Sequence, residues 1–367
     1  MNNILVFNAL QTSLSGGIGR YSYELARELY RVNKNCIRLV VREEDLHLFE
    51  FVEKNHLIVA KGIKNSKDRN LYEQFKLPNI IYKKYPNAIV HYPDSMAPLF
   101  SKNKVIITIH DMAFKSLKGV FPLKTVLWKR MITSLSVRKA KKIIAITEFT
   151  KNEILKYYPK LSKKISVIYN GFNDFSKEKI IEENVRTNIK SIDTPYILTV
   201  STISPRKNID NLIKAFNLLK DSINENLVIA GDKGWMYTNI YKLVKELDLT
   251  ERVIFTGKIN DDELKILYKN SKIFIYVSFY EGFGLPPLEA MSYKIPCIVS
   301  DVTSLPEVVG EGAVKVDPNN IVEISEAIIR LKKDFNYRSN ILDKVDFEVS
   351  KFSWEKCSYD LIKTIYE

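Results

Sequence analysis

Two glutamates stand eight positions apart on either side of a turn rich in glycine and proline. The segment from Tyr280 to Met291 reads Tyr-Glu-Gly-Phe-Gly-Leu-Pro-Pro-Leu-Glu-Ala-Met and follows an apolar run, Ile273–Val277. Its glycines allow backbone amides to approach a ligand closely. Its second proline suits the first turn of a helix whose N-terminus would present N–H groups to a phosphate. Glu281 and Glu289 can therefore face one pocket and accept hydrogen bonds from sugar and ribose hydroxyls.

The alternative for this pair of glutamates is structural. One would favour the helix dipole and the other would be a surface residue. The order of the elements around the glutamates argues against this interpretation. A strand is followed by a glycine turn, a proline, a helix and then another buried strand, Ile298–Ser300. A functional role is therefore favoured.

Two adjacent cations occupy the loop Thr202–Asn208, which lies between the apolar run Tyr196–Val200 and a helical pattern. Arg206 and Lys207 are well placed there to hold a diphosphate. They would also stabilise negative charge on a leaving nucleotide, a role that a divalent metal plays in other transferases. Two merely solvated cations at a helix start would oppose the helix dipole, so the phosphate-binding role is favoured.

The first half of the chain carries two weaker signals. Ser15–Arg20 reads Ser-Gly-Gly-Ile-Gly-Arg and opens a helical pattern, as a phosphate or acceptor loop would, but it differs from the dinucleotide fingerprint. His110-Asp111 ends the apolar run Val105–Ile109. A single histidine at a strand end is usually structural, so neither signal decides a function alone.

These motifs resemble those of the retaining glycosyltransferases of family four, which have the two-domain GT-B fold. The element from Glu281 to Glu289 matches the family's Glu-x7-Glu motif with its Gly-Phe-Gly-Leu-Pro core, and agreement continues through Ser304–Gly310. The resemblance covers essentially the whole chain. One departure is that many members begin the basic loop with Gly-Arg where Val200-Ser201 stands here, so Arg206 is the expected partner of Lys207.

The resemblance implies a role for each motif residue. Glu281 would contact the transferred sugar, Glu289 the nucleotide ribose and His110 the region of the anomeric carbon, while Asp111 would orient the acceptor. The leaving phosphate would help to deprotonate the acceptor, and no metal ion or other cofactor is expected. The residues expected to hold the donor are Gly17, Arg206, Lys207, Glu281, Phe283, Gly284, Leu285 and Glu289, and those expected in catalysis are His110, Glu281, Arg206 and Lys207.

Short apolar runs alternate with amphipathic segments and predict an α/β fold of two doubly wound parallel sheets, with a cleft at their carboxyl ends. The turn signal Asn170-Gly171 and the charge-rich residues after it indicate a domain boundary. We expect an acceptor-side domain over residues 1–170 and a nucleotide-sugar-binding domain over 171–352. A helix at 353–367 is expected to pack back on the first domain.

The periodicity also predicts the individual elements. The predicted strands are Ile4–Phe7, Ile37–Val41, Ala88–Tyr92, Val105–Ile109, Ile143–Thr147, Ile165–Tyr169, Tyr196–Val200, Leu227–Ala230, Arg252–Phe255, Ile273–Val277, Cys297–Ser300 and Ala313–Val316. The predicted helices include Ile18–Arg31, Asn208–Lys220, Asp261–Lys269 and Ile321–Lys332.

Composition excludes several classes of protein. A hydrophobic fraction of 46% with 27% charged residues is that of a folded globular chain. The three cysteines form no C-x-x-C pair and the four histidines lack metal-ligand spacing, which argues against a disulfide scaffold and a zinc site. No apolar run approaches the ~18 to 20 residues that span a bilayer, and the N-terminus lacks a signal-peptide pattern. We expect a cytoplasmic protein, peripheral at the inner face of the membrane.

Positive charge is concentrated in residues 112–170, which contain 14 Lys or Arg and two Glu, a net charge of +12. Pro122–Met131 begins an amphipathic helix, and Arg138–Lys142 adds four more cations. This stretch would bind an anionic membrane at ~1 kcal/mol per basic residue, close to a lipid-linked acceptor. The alternative is a core-packed helix with solvated lysines. The apolar stripe of the helix consists of Leu123, Val126, Leu127 and Met131.

Other classes of function compete with this interpretation. A nucleic-acid-binding protein could use the basic stretch, but it lacks aromatic interleaving and a known fold motif, so nucleic acid is not an expected partner. A sugar-nucleotide epimerase of similar fold would need the donor site and no acceptor. The motifs resemble those of bacterial mannosyltransferases of surface polysaccharide synthesis. The expected donor is therefore GDP-mannose, and next a UDP-hexose, with a glycan or lipid-linked acceptor.

Overall fold

The computed structural model describes residues 4–12, 16–117, 119 and 123–366. Ser15 of the glycine-rich segment and Pro122 of the basic helix therefore lie outside the described residues. The chain divides into two compact units, one formed by Met1–Gly171 with Phe352–Glu367 and the other by Phe172–Lys351. The sequence analysis places the boundaries after residues 170 and 352.

The described part of the first unit contains one sheet of seven parallel strands. Its strands are β1 (Leu5–Asn8), β2 (Ile37–Arg42), β3 (Leu57–Ala60), β4 (Ile89–Tyr92), β5 (Lys104–Ile109), β6 (Lys142–Ala145) and β7 (Ile165–Val167). They are ordered β3-β2-β1-β4-β5-β6-β7, and every neighbouring pair is parallel. The strand order reverses between β1 and β4, which is the topological switch point where such sheets bind ligands.

The described part of the second unit contains a sheet of six parallel strands. They are β8 (Tyr196–Val200), β9 (Asn226–Ala230), β10 (Val253–Gly257), β11 (Ile273–Tyr276), β12 (Cys297–Ser300) and β13 (Val314–Val316). The order is β10-β9-β8-β11-β12-β13, again with parallel neighbours, so the switch point lies between β8 and β11.

Helices connect most of the strands; β2 and β3 are joined by 3-10 turns, and residues 93–103 between β4 and β5 contain no helix. The helices are α1 (Gly17–Asn33), α2 (Ser66–Leu71), α3 (Leu77–Lys84), α4 (Ala113–Ser116), α5 (Leu123–Lys139), α6 (Glu148–Tyr157), α7 (Thr187–Lys190), α8 (Ile209–Asn217), α9 (Thr238–Glu246), α10 (Asp261–Asn270), α11 (Leu285–Ser292), α12 (Leu305–Val309), α13 (Ile321–Lys333), α14 (Phe335–Ser350) and α15 (Trp354–Tyr366). A π-helical turn, Tyr72–Lys76, joins α2 to α3.

The structure confirms the predicted fold class and the twelve predicted strands, whose ends shift by no more than two residues. The sequence analysis missed β3. This strand is only four residues long, lies at the edge of its sheet and alternates between buried and more exposed positions. Its sequence, Leu-Ile-Val-Ala, is nonetheless an apolar run like those of the central strands, so this strand could have been predicted from the sequence.

Both faces of the first sheet are covered by apolar side chains. Val6 and Val90 belong to one core cluster, whereas Leu5 and Phe7 belong to another. Because successive side chains of a strand point to opposite faces, the central strands need apolar residues at every position. The core of the second unit is likewise built on its strands, and Leu227 and Ile275 are fully buried in it.

Helix α15 packs on the first unit beside α1. Trp354 and Leu361 share a core cluster with Tyr21 and Leu25 of α1. Gly171 lies against the start of α15, where an added Cβ would stand 2.2 Å from the Trp354 nitrogen. The glycine of the Asn170-Gly171 pair is therefore required by a close backbone contact.

Across the described residues, no helix combines the length and the apolar character needed to cross a membrane.

Candidate active site

Two loops meet at the switch point between β8 and β11. The loop after β8 carries Arg206 and Lys207 in a 3-10 turn, and the segment after β11 carries Glu281. The Phe279 N–H donates to the Arg206 carbonyl at 2.9 Å, which joins the two loops directly. The predicted phosphate-binding cations and the first predicted carboxylate therefore lie together.

Glu281 is the centre of this cluster. Lys207 Nζ donates to Glu281 Oε1 at 2.6 Å, and Arg206 Nη1 donates to Oε2 at 3.0 Å. Arg206 Nη1 also donates to the Tyr280 carbonyl at 2.6 Å. Two cations share one carboxylate, so these three side chains together carry a net positive charge that suits an anionic ligand.

The protonation state of Glu281 follows from its surroundings. Burial by itself would raise the pKa of this carboxyl, but Lys207 and Arg206 outweigh burial and lower the pKa to about 2. Glu281 is therefore an anion at neutral pH although the residue is only 7% exposed. It can accept hydrogen bonds from hydroxyls and cannot act as a proton donor.

Asn208 anchors the basic loop. Its backbone is left-handed, with φ 57°, a conformation that asparagine tolerates better than most residues. Its buried amide donates to the carbonyls of Val277 at 2.9 Å and Pro318 at 2.7 Å. The sequence analysis begins the next helix at Asn208, but the structure begins it at Ile209 because the left-handed residue interrupts the helical backbone.

The glycine turn requires its second glycine. Gly284 has φ 104°, and an added Cβ would stand 2.5 Å from a methyl group of Leu305. Helix α11 begins at the next residue, Leu285, with Pro286 and Pro287 in its first turn. Because proline has no N–H, the donors available near this helix end come from Leu285 and the residues before it.

The segment after β12 braces the turn. The Ser304 hydroxyl lies 3.0 Å from the Glu281 carbonyl and 3.1 Å from the Phe283 carbonyl, and it donates to them. The Glu281 N–H donates to the Thr303 hydroxyl at 3.2 Å. The start of the Ser304–Gly310 motif therefore holds the Glu281 backbone in place.

Glu289 has a different environment from Glu281. It is buried on α11, and its Oε2 accepts a hydrogen bond of 2.9 Å from the Tyr268 hydroxyl of α10. Burial and the Glu289 carboxylate raise the pKa of Tyr268 well above its usual value, so the phenol stays protonated. The role of Glu289 in binding ribose remains a prediction.

His110 and Asp111 follow β5 in the first unit. His110 Nε2 donates to the Pro93 carbonyl at 2.9 Å, and the ring packs edge-on against Tyr21 at 4.7 Å between centroids. Burial lowers the pKa of His110, which favours the neutral ring. Because Nε2 donates to a carbonyl, the lone pair of the neutral ring lies on Nδ1. Asp111 Oδ1 accepts from the Ala113 N–H at 3.0 Å, which is a local contact at the start of α4.

Gly17 is the first residue of α1, one position earlier than predicted. A Cβ added at Gly16 or Gly17 would have no atom within 4 Å, and neither residue has a positive φ. Neither packing nor backbone conformation therefore requires glycine here. Binding of the donor by Gly17 remains a prediction.

The first turns of α5 are exposed. Leu123, Leu127 and Met131 are 72%, 58% and 51% exposed, so this stripe is not packed in the core. The buried side of α5 begins at Ile132. Two lysines of the Arg138–Lys142 group donate hydrogen bonds within the unit: Lys139 Nζ to the Leu99 carbonyl and Lys142 Nζ to the Thr364 carbonyl.

Sequence reasoning missed Tyr276 as a member of the cluster. Lys207 Nζ donates to its hydroxyl at 2.6 Å. Burial and the neighbouring Glu281 carboxylate raise the pKa of Tyr276 well above its usual value. Tyr276 lies within an apolar strand, where an aromatic residue is expected for packing, so the sequence carried no signal for this contact.

Family comparisons match both halves of the chain. Residues 15–174 match the family model described as Glycosyltransferase Family 4, and residues 181–344 match the model described as Glycosyl transferases group 1. The protein therefore belongs to the family-four-like glycosyltransferases with the GT-B fold.

Individual relatives agree with this assignment. The chain is 29% identical to O-antigen chain mannosyltransferase B of Escherichia coli over 94% of both proteins. It is 33% identical to O-antigen chain mannosyltransferase RfbU of Salmonella typhimurium, over 67% of this chain and 66% of that protein. A glycosyltransferase from Rickettsia africae has the same fold, with a TM-score of 0.73 and 21% identity over 99% of this chain and 98% of that one.

Proposed function

We propose that this glycosyltransferase transfers a hexose, with retention of anomeric configuration, from a nucleotide sugar to a glycan or lipid-linked acceptor. Mannose from GDP-mannose is the first candidate and a UDP-hexose the second. The product would be a cell-surface polysaccharide. The names of the two O-antigen mannosyltransferases to which the chain is similar support this choice.

The contact of Arg206 and Lys207 with Glu281 carries the proposal. A nucleoside diphosphate gains negative charge as its bond to the sugar breaks, and two fixed cations stabilise that charge without reorganisation. Glu281 holds both cations through hydrogen bonds of 2.6 and 3.0 Å and offers acceptor oxygens to sugar hydroxyls. We therefore assign the diphosphate to the cations and propose that no metal ion takes part.

The reaction breaks the bond between the anomeric carbon and the phosphate oxygen and forms one to an acceptor oxygen. The proton of the acceptor hydroxyl passes to the departing phosphate. Amides of Phe283, Gly284 and Leu285 support the diphosphate in this proposal. We also propose that His110 contacts the sugar. Its ring is neutral in this role, because burial disfavours the charged form.

The exposed start of α5 supports association with an anionic membrane. Leu127 and Trp128 are 58% and 44% exposed, and Lys129 and Arg130 beside them are also exposed. Apolar and cationic side chains side by side on one helix suit the boundary between lipid headgroups and acyl chains. We propose that this surface brings the enzyme to a lipid-linked acceptor.

A donor screen tests the proposed activity. The protein is incubated with GDP-mannose, UDP-glucose, UDP-galactose and UDP-N-acetylglucosamine, and release of the nucleoside diphosphate is measured beside the shift in unfolding temperature. A bound donor at 100 times its Kd adds about 2.7 kcal/mol of stability. GDP-mannose should give the largest shift and the fastest release, and the absence of both effects with all four donors would refute the proposal.

A further inference from the structure

Arg186 binds the segment between β10 and α10 through several hydrogen bonds. Its Nε and Nη2 donate to the two carboxylate oxygens of Glu263 at 2.5 and 3.1 Å. Nη2 also donates to the Lys258 carbonyl at 2.8 Å and to the Thr256 carbonyl at 3.4 Å. One guanidinium group therefore connects the end of β10, the loop after it and the first turn of α10.

Glu263 is the buried partner in this network. Its side chain is 2% exposed, and burial alone would raise its pKa, but Arg186 and backbone N–H groups outweigh burial and lower the pKa. The carboxylate is therefore an anion at neutral pH. Its Oε2 also accepts from the Asn260 N–H at 3.0 Å in the capping box that begins α10. Without the guanidinium, this buried anion would lose its partner, and the loop and the helix start would shift.

The charge-rich segment at the predicted domain boundary carries Arg186 and is docked on α10. The Asn184 side chain donates to Asp262 Oδ2 at 2.7 Å, and the Ile181 N–H donates to Oδ1 at 3.2 Å. The Asn184 carbonyl accepts from the Asn260 side chain at 2.8 Å. The backbone around Arg186 is therefore fixed against the same helix start as its side chain.

The loop that Arg186 binds, residues 257–260, lies at the ligand-binding edge of the second sheet. β8, β9 and β10 are parallel neighbours, so the segments that follow them meet at one edge. The Gly231 N–H after β9 donates to the Gly257 carbonyl at 3.1 Å, and the Gly234 N–H donates to the Ile203 carbonyl of the basic loop at 3.0 Å. Hydrogen bonds therefore connect the 257–260 loop to the basic loop.

The strand order indicates which end of the donor faces this loop. The diphosphate is assigned to the basic loop after β8 and the sugar to Glu281 after β11, on one side of β8. The nucleoside is at the other end of the diphosphate, so it extends over β9 and β10. Strands are ~4.8 Å apart, so the end of β10 is about 10 Å from that of β8. A ribose and a base joined to the diphosphate can bridge this span.

We propose that Arg186 is a positioning residue for the nucleoside of the donor, because it fixes the 257–260 loop through Glu263 and the Lys258 carbonyl. The inference rests on the proposed function, since it concerns the donor of that reaction. Arg186 acts through the loop and does not itself touch the nucleotide.

Two variants weaken the network with little change of shape. Arg186→Lys keeps the positive charge, but one ammonium group cannot replace the planar fork that binds a carboxylate and two carbonyls. Glu263→Gln removes the anion and keeps an oxygen for the capping box.

Arg252→Lys is the matched control. Arg252 also donates to backbone carbonyls, those of Ile223 at 2.9 Å and Glu225 at 2.7 Å. It lies at the opposite edge of the sheet, because β10 begins at the next residue, Val253. Unfolding temperatures of all three variants show that they fold and how much stability each has lost.

Binding of GDP, UDP and inorganic pyrophosphate is measured by calorimetry. For the nucleotide that the wild type binds more tightly, Kd should rise about tenfold in Arg186→Lys and Glu263→Gln and stay unchanged in Arg252→Lys. Pyrophosphate has no nucleoside, so its affinity should be the same in the wild type and the variants. Equal nucleotide affinity in all proteins, an equal loss for nucleotide and pyrophosphate, or the same loss in Arg252→Lys would overturn the inference.

Steady-state turnover of the donor separates this inference from the proposed function. Arg186→Lys should raise the donor KM about tenfold and leave kcat unchanged, because the groups at the reacting end of the donor stay in place. If the wild type binds neither nucleotide and turns over no nucleotide sugar, the proposed function fails and this inference fails with it. If the wild type turns over a donor and Arg186→Lys matches it in KM, only the role of Arg186 fails.

Discussion

The ammonium group of Lys207 and the carboxylate of Glu281 are joined by a hydrogen bond of 2.6 Å at the switch point of the second sheet. The same carboxylate holds Arg206 through its other oxygen at 3.0 Å. The cations assigned to the diphosphate and the carboxylate assigned to the sugar therefore form one electrostatic unit. Substitutions within this unit should be coupled and not additive.

Replacing Lys207 tests the phosphate-binding role. Lys207→Ala should lower kcat for release of the nucleoside diphosphate by about 100-fold or more, because a fixed charge that stabilises the leaving group is lost. The control is Lys214→Ala, which removes a half-buried lysine of α8 paired with Asp210 at 3.6 Å. Equal rates for the wild type and Lys207→Ala would contradict the assignment.

Stability should depend on Glu281 in a pH-dependent way. Its folded-state pKa is lowered from 4.5 to about 2, so its contribution is complete above about pH 4.5 and disappears as the pH falls towards about 2. Glu281→Gln should lower the free energy of unfolding by about 3 kcal/mol at pH 7, since it leaves two poorly solvated cations without their carboxylate. Urea unfolding at pH 7, 4.5 and 3 should show this difference shrinking with acidity, and a constant difference would refute the ion-pair explanation.

Metal independence is tested with a chelator. Excess EDTA should leave donor turnover unchanged, because Arg206 and Lys207 supply the positive charge that a metal ion supplies in other transferases. The assay compares untreated enzyme, enzyme dialysed against EDTA and the same enzyme after addition of magnesium. Activity that is lost on dialysis and restored by magnesium would show that this proposal is wrong.

Gly171 should be intolerant of any side chain. In Gly171→Ala the new methyl group would stand 2.2 Å from the backbone nitrogen of Trp354, so either the chain after β7 or the start of α15 must move. We expect a loss of about 1 to 3 kcal/mol in the free energy of unfolding. Gly16→Ala is the control, because a Cβ there meets open space. Similar unfolding midpoints for the two variants would contradict the close contact.

Membrane association should depend on the exposed start of α5. A triple variant that neutralises this surface should bind phosphatidylglycerol vesicles about 100-fold more weakly, at ~1 kcal/mol for each charge removed. The substitutions are Lys124→Gln, Lys129→Gln and Arg130→Gln. A second triple variant in the other unit removes the same charge as a control, with Lys242→Gln, Lys245→Gln and Lys269→Gln. Equal co-sedimentation of the two variants would rule out the proposed surface.

The sequence by itself determined the elements and the order of the motifs. Apolar runs such as Ile273–Val277 identify strands buried on both faces, because every position of such a strand must be apolar. Gly284 and the prolines after it mark a turn and a helix start, since these residues restrict the backbone locally. The edge strand β3 has an apolar run of the same kind, Leu-Ile-Val-Ala, and was missed although this reasoning applies to it.

Only the tertiary structure decided which distant residues meet. Lys207 and Glu281 are 74 positions apart, and their contact depends on β8 and β11 being neighbours in the sheet. The hydrogen bond from Asn8 to Glu73 likewise joins β1 to a π-helical turn 65 positions away, which no local pattern predicted. Local propensities govern the backbone of each segment, whereas the pairing of segments is set by the packing of the whole sheet, which no short stretch of sequence contains.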